Sequence, residues 1–231
     1  MKKKFKLKLF ALAMMVMAGL TIAPSIYAAQ PFQNHDGVTE ENADFVVSYT
    51  ADKTDLQKGD IVTVTISVDK LPENGKGIVS LSSRIAYDSN VLEPLKCGIT
   101  EDENGNEIPD ENGTEYFYVV PGTLGKKLNF EIGYAGHISV PEEPSNIKAL
   151  SFGATKTIKN PTEPGVFATI KFRAKVDATE NDAKLMLLQD GITYNGFAIA
   201  GKKYDGQRWV TDPNNTFFIK SNLSNVKISN I

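Results

Sequence analysis

Ile61-Val62-Thr63-Val64-Thr65-Ile66-Ser67-Val68 alternates β-branched apolar residues with Thr or Ser. Successive side chains of a β-strand point to opposite faces. This stretch therefore reads as a strand with one face buried and one face wet. The same period in 166–176 sets Val166, Ala168, Ile170 and Phe172 opposite Phe167, Thr169, Lys171 and Arg173. Outward from these two segments, period-two or wholly apolar stretches predict further strands at 45–50, 78–87, 91–96, 115–120, 128–134, 184–189, 192–200 and 225–229. The stretches between them carry turn residues, as in Pro72-Glu73-Asn74-Gly75 and Asn160-Pro161-Thr162-Glu163-Pro164-Gly165. No stretch longer than two turns shows a helical period, and there is no internal repeat. Nine or ten strands with almost no helix predict an all-β, two-sheet β-sandwich of the jelly-roll kind.

The ends and the composition restrict the function. Residues 1–29 read as a secretory signal: Lys2, Lys3, Lys4, Lys6 and Lys8, an apolar run from Leu9 to Ala23, and small residues before a cut near Ala28 or Ala29. The apolar run is shorter than the ~20 residues of a spanning helix. No Cys follows it to carry a lipid, so the expectation is a secreted, extracellular, bacterial protein off the membrane after cleavage. Residues 30–43 are polar without periodicity and read as a tether, leaving 44–231 as one domain. Five of the 25 basic residues lie in the signal, so its removal leaves 20 against 28 acidic residues, a net charge near −8. That balance argues against nucleic acid, whose phosphates call for a basic footprint. The single cysteine, Cys97, forms no disulfide framework and reads as a small buried hydrophobe.

Several motifs together resemble one family. Lys58-Gly59-Asp60 leads into the Ile61 strand. Gly77-Ile78 opens the next one, which ends in Ala86-Tyr87-Asp88-Ser89-Asn90-Val91-Leu92-Glu93. Gly165-Val166-Phe167-Ala168-Thr169-Ile170-Lys171-Phe172 follows later. In order and spacing this resembles the cohesin module of cellulosomes, over most of the chain after the signal. At the corner, Tyr87 ends a strand pointing inward, Asp88 and Asn90 close an Asx-type turn, and Val91-Leu92 restart the core.

The resemblance implies a flattened nine-stranded jelly roll that binds a dockerin, a small calcium-loaded helical module borne by an enzyme or scaffold protein. It implies that the partner packs on the sheet of the third, fifth, sixth and eighth strands. By position these are 78–87, 115–120, 128–134 and 184–200. Leu81, Ile85 and Tyr87 then face the core and Ser80, Ser82 and Arg84 the partner. Tyr118, Phe130 and Ile132 join them, with Leu128, Phe130 and Ile132 supplying an apolar centre. The best-known cohesin type carries Asn and Asp where Ser80 and Ser82 stand. Serine still donates and accepts hydrogen bonds, but it is shorter and uncharged.

Other residues offer competing chemistry. In 101–112, Asp102, Asn104, Asn106 and Asp110 place oxygens around Gly105, which reads either as a solvated hairpin tip or as a calcium loop. The full EF-hand pattern is missing, and no cofactor is required. Tyr194, Phe197, Tyr204 and Trp209 lie among Gly and Lys residues. They read either as core and edge cover or, through Tyr204 and Trp209, as a platform for a polysaccharide. An adhesive role at a cell surface is a third reading. No nucleophile elbow, zinc-protease helix or phosphate loop is present, so the chain is not expected to be an enzyme. His35 lies in the tether, and His137 has no evident partner in the sequence.

Overall fold

The computed structural model describes residues 37–53, 55–72, 77–139, 145–155, 159–178 and 217–222, with strand pieces at 185–187, 198–199, 203–204 and 209–210. The expected signal, residues 30–36 with His35, Tyr194, Phe197 and the strand expected at 225–229 lie outside these residues. Among the described residues no helix is long and apolar enough to cross a membrane.

The elements in chain order are β1 (Phe45–Ala51), β2 (Ile61–Lys70), β3 (Ile78–Asp88), β4 (Leu92–Pro94), β5 (Lys96–Glu101), β6 (Glu107–Asp110), β7 (Tyr116–Phe117), β8 (Val119–Pro121) and α1 (Thr123–Lys127). Then follow β9 (Ala135–Ser139), β10 (Ile147–Thr155), β11 (Gly165–Ala174), β12 (Leu185–Leu187), β13 (Ala198–Ile199), β14 (Lys203–Tyr204), β15 (Trp209–Val210) and β16 (Phe217–Ser221). One sheet runs β16-β1-β2-β11, with β4 and β8 sharing the lane beyond β11. The other runs β3-β10-β9, with β12 and β13 sharing the lane on the far side of β3. Counted as lanes, the described residues form five in one sheet and four in the other, the nine of the expected jelly roll.

The alternation of β2 holds in three dimensions. Val62, Val64, Ile66 and Val68 are buried, while Ile61, Thr63, Thr65 and Ser67 are half-buried on the other face. They meet Leu81, Ile85, Tyr87, Leu150 and Phe152 of the opposite sheet in one core. Each such side chain removed from water contributes about 1.5–3 kcal/mol. A polar bridge crosses this core, where the Ser83 hydroxyl donates to the hydroxyl of fully buried Tyr49 at 3.3 Å.

In β11 the expected alternation fails at one residue. Phe167 is buried, because the register against β2 shifts between Val166 and Ala168, a bulge that turns one extra side chain inward. Phe167 then stacks on Phe130 at 4.9 Å and on Phe152 at 6.2 Å. Over the bulge lies α1, whose Gly125 approaches so closely that a Cβ there would stand 2.1 Å from the Phe167 carbonyl oxygen.

Other expected strands are redrawn. The 91–96 and 115–120 segments split into β4 with β5 and β7 with β8. The 128–134 segment is not a strand: it leaves α1 through Asn129 (φ 56°) and Gly133 (φ 69°), left-handed conformations that break an extended chain. The strands that take its place, β9 and β10, lie just beyond. β16 fills the lane beside β1, parallel to it, with Phe45 opposite Phe217. The expected tether is ordered from residue 37: the Ala43 N–H donates to the Thr39 carbonyl (3.0 Å), and Lys220 pairs with Glu40 (3.0 Å).

Candidate functional site

The Tyr87-Asp88 corner fixes one end of the β3-β10-β9 sheet. The Asp88 carboxylate is buried and accepts the Asn90 N–H at 2.8 Å, the Asx turn read from the sequence, and also the Asn146 side-chain amide at 2.9 Å. Asn146 stands directly before β10, so one carboxylate ties the exit of β3 to the entry of β10. Nine successive pairs then run from Ile147 with Asp88 to Thr155 with Ser80.

That register defines the outer face of the sheet row by row. Ile138, Ala149 and Ala86 form one row across β9, β10 and β3, with Met186 of β12 at the next position. Gly136, Ser151 and Arg84 form the second, and Gly153 stands opposite Ser82 in the third. Thr155, Ser80 and Ala198 complete the fourth. With strands ~4.8 Å apart, the three lanes give a strip about 10 Å across. Ala86, Ile147 and Ala149 are buried in a small apolar cluster against Ile138, separate from the main core. Ser80, Arg84 and Ser151 are half-buried. The accessible part of the face is thus floored with Gly and Ser around Arg84, while the apolar row of Ala86 and Ala149 at the corner end is fully buried. A partner's backbone can approach such a floor closely, which is what buries area at an interface core.

The border lane of this face has an irregular register. Leu187 pairs with Ile85 and Ala198 with Ser80, and the register against β3 shifts between Ala198 and Ile199.

Of the partner-facing residues expected from the sequence, Ser80 and Arg84 lie on this face, and Ser82 takes its register position there. Phe130 and Ile132 do not: they are 5% and 6% exposed, packed into the interior once 128–134 is a turn, as is Leu128. Tyr118 lies against the other sheet. Its N–H donates to the Leu95 carbonyl (2.8 Å), and the Lys171 ammonium stands 4.2 Å from its ring centroid and 3.3 Å from Glu111. The residues that sequence reasoning missed are those of β10 and β9. In 147–155 apolar residues fall on both faces, since the outward positions include Ile147, Ala149 and Gly153 beside Ser151 and Thr155, and this blurs the period that signals a strand.

The acidic loop is the β5–β6 hairpin. Asp102 accepts the N–H groups of Asn104 (2.9 Å) and Asn106 (2.8 Å) and the Asn106 side-chain amide (3.0 Å), which holds its carboxyl below the usual carboxylate range. Asp110 lies on β6 opposite Gly98, three positions along from Glu107, or about 10 Å from the turn. The four expected ligands Asp102, Asn104, Asn106 and Asp110 therefore do not converge on one point. Among the described residues no three or more His, Cys, Asp or Glu side chains gather as a metal site. Cys97 is buried, and burial, followed by the charges of Asp110, Glu111 and Glu115, pushes its thiol pKa up, away from reactivity. Tyr204 and Trp209 are register partners in the two-stranded β14–β15 ribbon.

The small-residue sheet face is carried on a nine-lane jelly roll. The family model for the cohesin domain matches residues 47–196, and the chain belongs to that family. Among solved structures it is similar to the second type II cohesin module of the ScaA adaptor scaffoldin of Acetivibrio cellulolyticus, at 14% identity over 77% of this chain and 93% of that one (TM-score 0.43). It is similar to type II cohesin A11 of Bacteroides cellulosolvens, at 15% identity over 76% and 99% (TM-score 0.39). A third similarity is to the type I Coh-OlpA–Doc918 cohesin–dockerin complex of Clostridium thermocellum, at 20% identity over 58% and 75% (TM-score 0.34). No curated protein sequence matches the chain.

Proposed function

We propose that this chain is a secreted, non-catalytic cohesin that recruits a dockerin-bearing enzyme or scaffold protein on the outer face of the β3-β10-β9 sheet. The observation that carries the reading is the floor itself. Exposed Gly136 and half-buried Ser151, Gly153 and Arg84 form adjoining rows, on a chain that belongs to the cohesin family. Small side chains let a partner helix settle against the strands.

The test is capture of secreted proteins of the source organism on immobilised residues 30–231, in calcium and in chelator, read by mass spectrometry. Dockerin-bearing proteins retained only in calcium support the reading. Calcium-dependent capture that survives Asp102→Ala with Asp110→Ala assigns the calcium to the partner, and loss in that variant assigns it to the hairpin. Capture of no dockerin-bearing protein in calcium overturns the reading. A second reading, polysaccharide binding, is favoured by the pairing of Tyr204 with Trp209. It requires retention on insoluble polysaccharide that Trp209→Ala abolishes.

A further inference from the structure

An Asn-Gly step is where a backbone most readily attacks its own side chain, because glycine has no Cβ to shield its nitrogen or restrict its rotation. The sequence holds four such steps, at 74–75, 104–105, 112–113 and 195–196. Asn104-Gly105 and Asn112-Gly113 lie among the described residues, one before β6 and one after it. Their surroundings differ. Asn104-Gly105 forms the exposed tip of the β5–β6 hairpin, Gly105 has φ 77°, and a Cβ there would meet nothing within 4 Å. Among the described residues the Asn104 carboxamide has no hydrogen-bond partner; only its backbone N–H is held, by the Asp102 carboxylate at 2.9 Å. Asn112-Gly113 is wedged instead. A Cβ at Gly113 would stand 2.2 Å from the Gly98 nitrogen and 2.3 Å from its Cα, and the Asn112 carboxamide donates to Asp110 at 3.3 Å. Both glycine N–H groups donate to a carbonyl three residues back, Gly105 to Asp102 at 2.9 Å and Gly113 to Asp110 at 3.2 Å, so either step must open a turn before it reacts.

We infer that Asn104 is a self-modification site, converting spontaneously to an aspartyl or isoaspartyl residue at the hairpin tip, while packing keeps Asn112 intact. The Gly105 backbone nitrogen gives up its proton to base and attacks Cγ of the Asn104 carboxamide. A bond forms between them, the Cγ–Nδ2 bond breaks, and ammonia leaves with a proton taken from solvent. Water then adds to either carbonyl of the resulting five-membered imide and reopens it. One opening leaves an ordinary aspartyl residue, and the other leaves a main chain that runs through Cβ and Cγ and is longer by one carbon. Water is the only co-reactant, and nothing is oxidised or reduced. Ring closure requires the peptide plane between the two residues to rotate. The open space around Gly105 permits that rotation once the turn opens, and an exposed tip opens at small cost. At Gly113 the same rotation drives backbone into the backbone of Gly98. Either product places a new negative charge two positions from Asp102. The isoaspartyl form also lengthens the chain inside the 2.9 Å bond from the Asp102 N–H to the Asn106 carbonyl, which closes the tip.

This inference is independent of the proposed function, and its test needs no partner. The purified chain is held at neutral and mildly alkaline pH, then digested in acid, and the fragments carrying Asn104 and Asn112 are followed by mass spectrometry. Isoaspartyl methyltransferase counts the isomer with the longer main chain. In the folded chain Asn104 should convert about tenfold faster than Asn112 or more, since the exposed tip opens at little cost and the packed segment does not. Conversion should speed up as pH rises, because the attacking nitrogen must lose a proton. In urea the two steps should convert at similar rates, which ties the difference to the fold. Asn104→Gln, whose longer side chain closes a larger ring, should abolish the early mass change of its fragment. Equal conversion at the two steps in the folded chain, faster conversion at Asn112, or the same preference for Asn104 in urea would overturn the inference and leave the partner-face reading untouched.

Discussion

The two sheets share one core and present opposite kinds of surface. Outside β1-β2-β11 stand Thr50, Thr65 and Thr169 in one row, with Thr63 and Lys171 in the next. Outside β3-β10-β9 stand Gly136, Ser151 and Arg84, then Ile138, Ala149 and Ala86. β-Branched hydroxyl residues stiffen a strand while keeping water on it, which suits a surface that stays solvated. Glycine and alanine weaken a strand, since they contribute little packing. Their presence on three neighbouring lanes makes sense where something else is to lie against them. The difference teaches that strand propensity and interface quality pull against each other, and that the proposed binding face is the one less legible as strand.

Phe167→Ala bears on what the two faces have in common and carries the largest expected effect. Phe167 is fully buried and stacks on Phe130 and Phe152, so its loss should lower unfolding free energy by about 3–5 kcal/mol. Denaturant unfolding should show both sheets failing in one transition. Two separate transitions would mean that the sheets do not share a core.

Gly136→Arg against Thr65→Arg tests the faces directly. A Cβ at Gly136 meets only the Ser151 carbonyl oxygen at 3.9 Å, so the long side chain fits without strain and fills the floor. Partner affinity should fall by about 2 kcal/mol or more, the scale of a disrupted interface centre. Thr65→Arg, on the solvated face, should leave capture unchanged and stability within about 0.5 kcal/mol. Equal loss of capture in both would move the binding site to the other sheet.

The smallest effect concerns the β5–β6 hairpin, which stands outside both faces. Hydrogen bonds from Asn106 hold the Asp102 carboxyl below its ordinary value. The stabilisation is therefore complete above the ordinary carboxylate range and is lost as pH falls through the lowered one. NMR shifts of Asn104 and Asn106 should follow that titration, while those of the β3-β10-β9 face stay constant there. Movement of the face with Asp102 would join the hairpin to the binding surface.

Local pattern determined much of this protein. The alternation of 61–68 became a strand with the expected buried face, the Asp88–Asn90 turn closed as read, and the motifs around Gly59, Tyr87 and Gly165 led to the correct family. All three depend on residues a few positions apart, where side-chain direction and turn chemistry act over short range. Tertiary structure decided the rest. The bulge that buries Phe167, the lane that β16 takes beside β1, the removal of Phe130 and Ile132 from the surface, and the assembly of Gly136, Ser151 and Arg84 into one row all depend on pairing between distant segments. Register is set by what each strand meets across the sheet and across the core, and a strand whose faces are both mildly apolar, as β10 is, does not announce which side it will show.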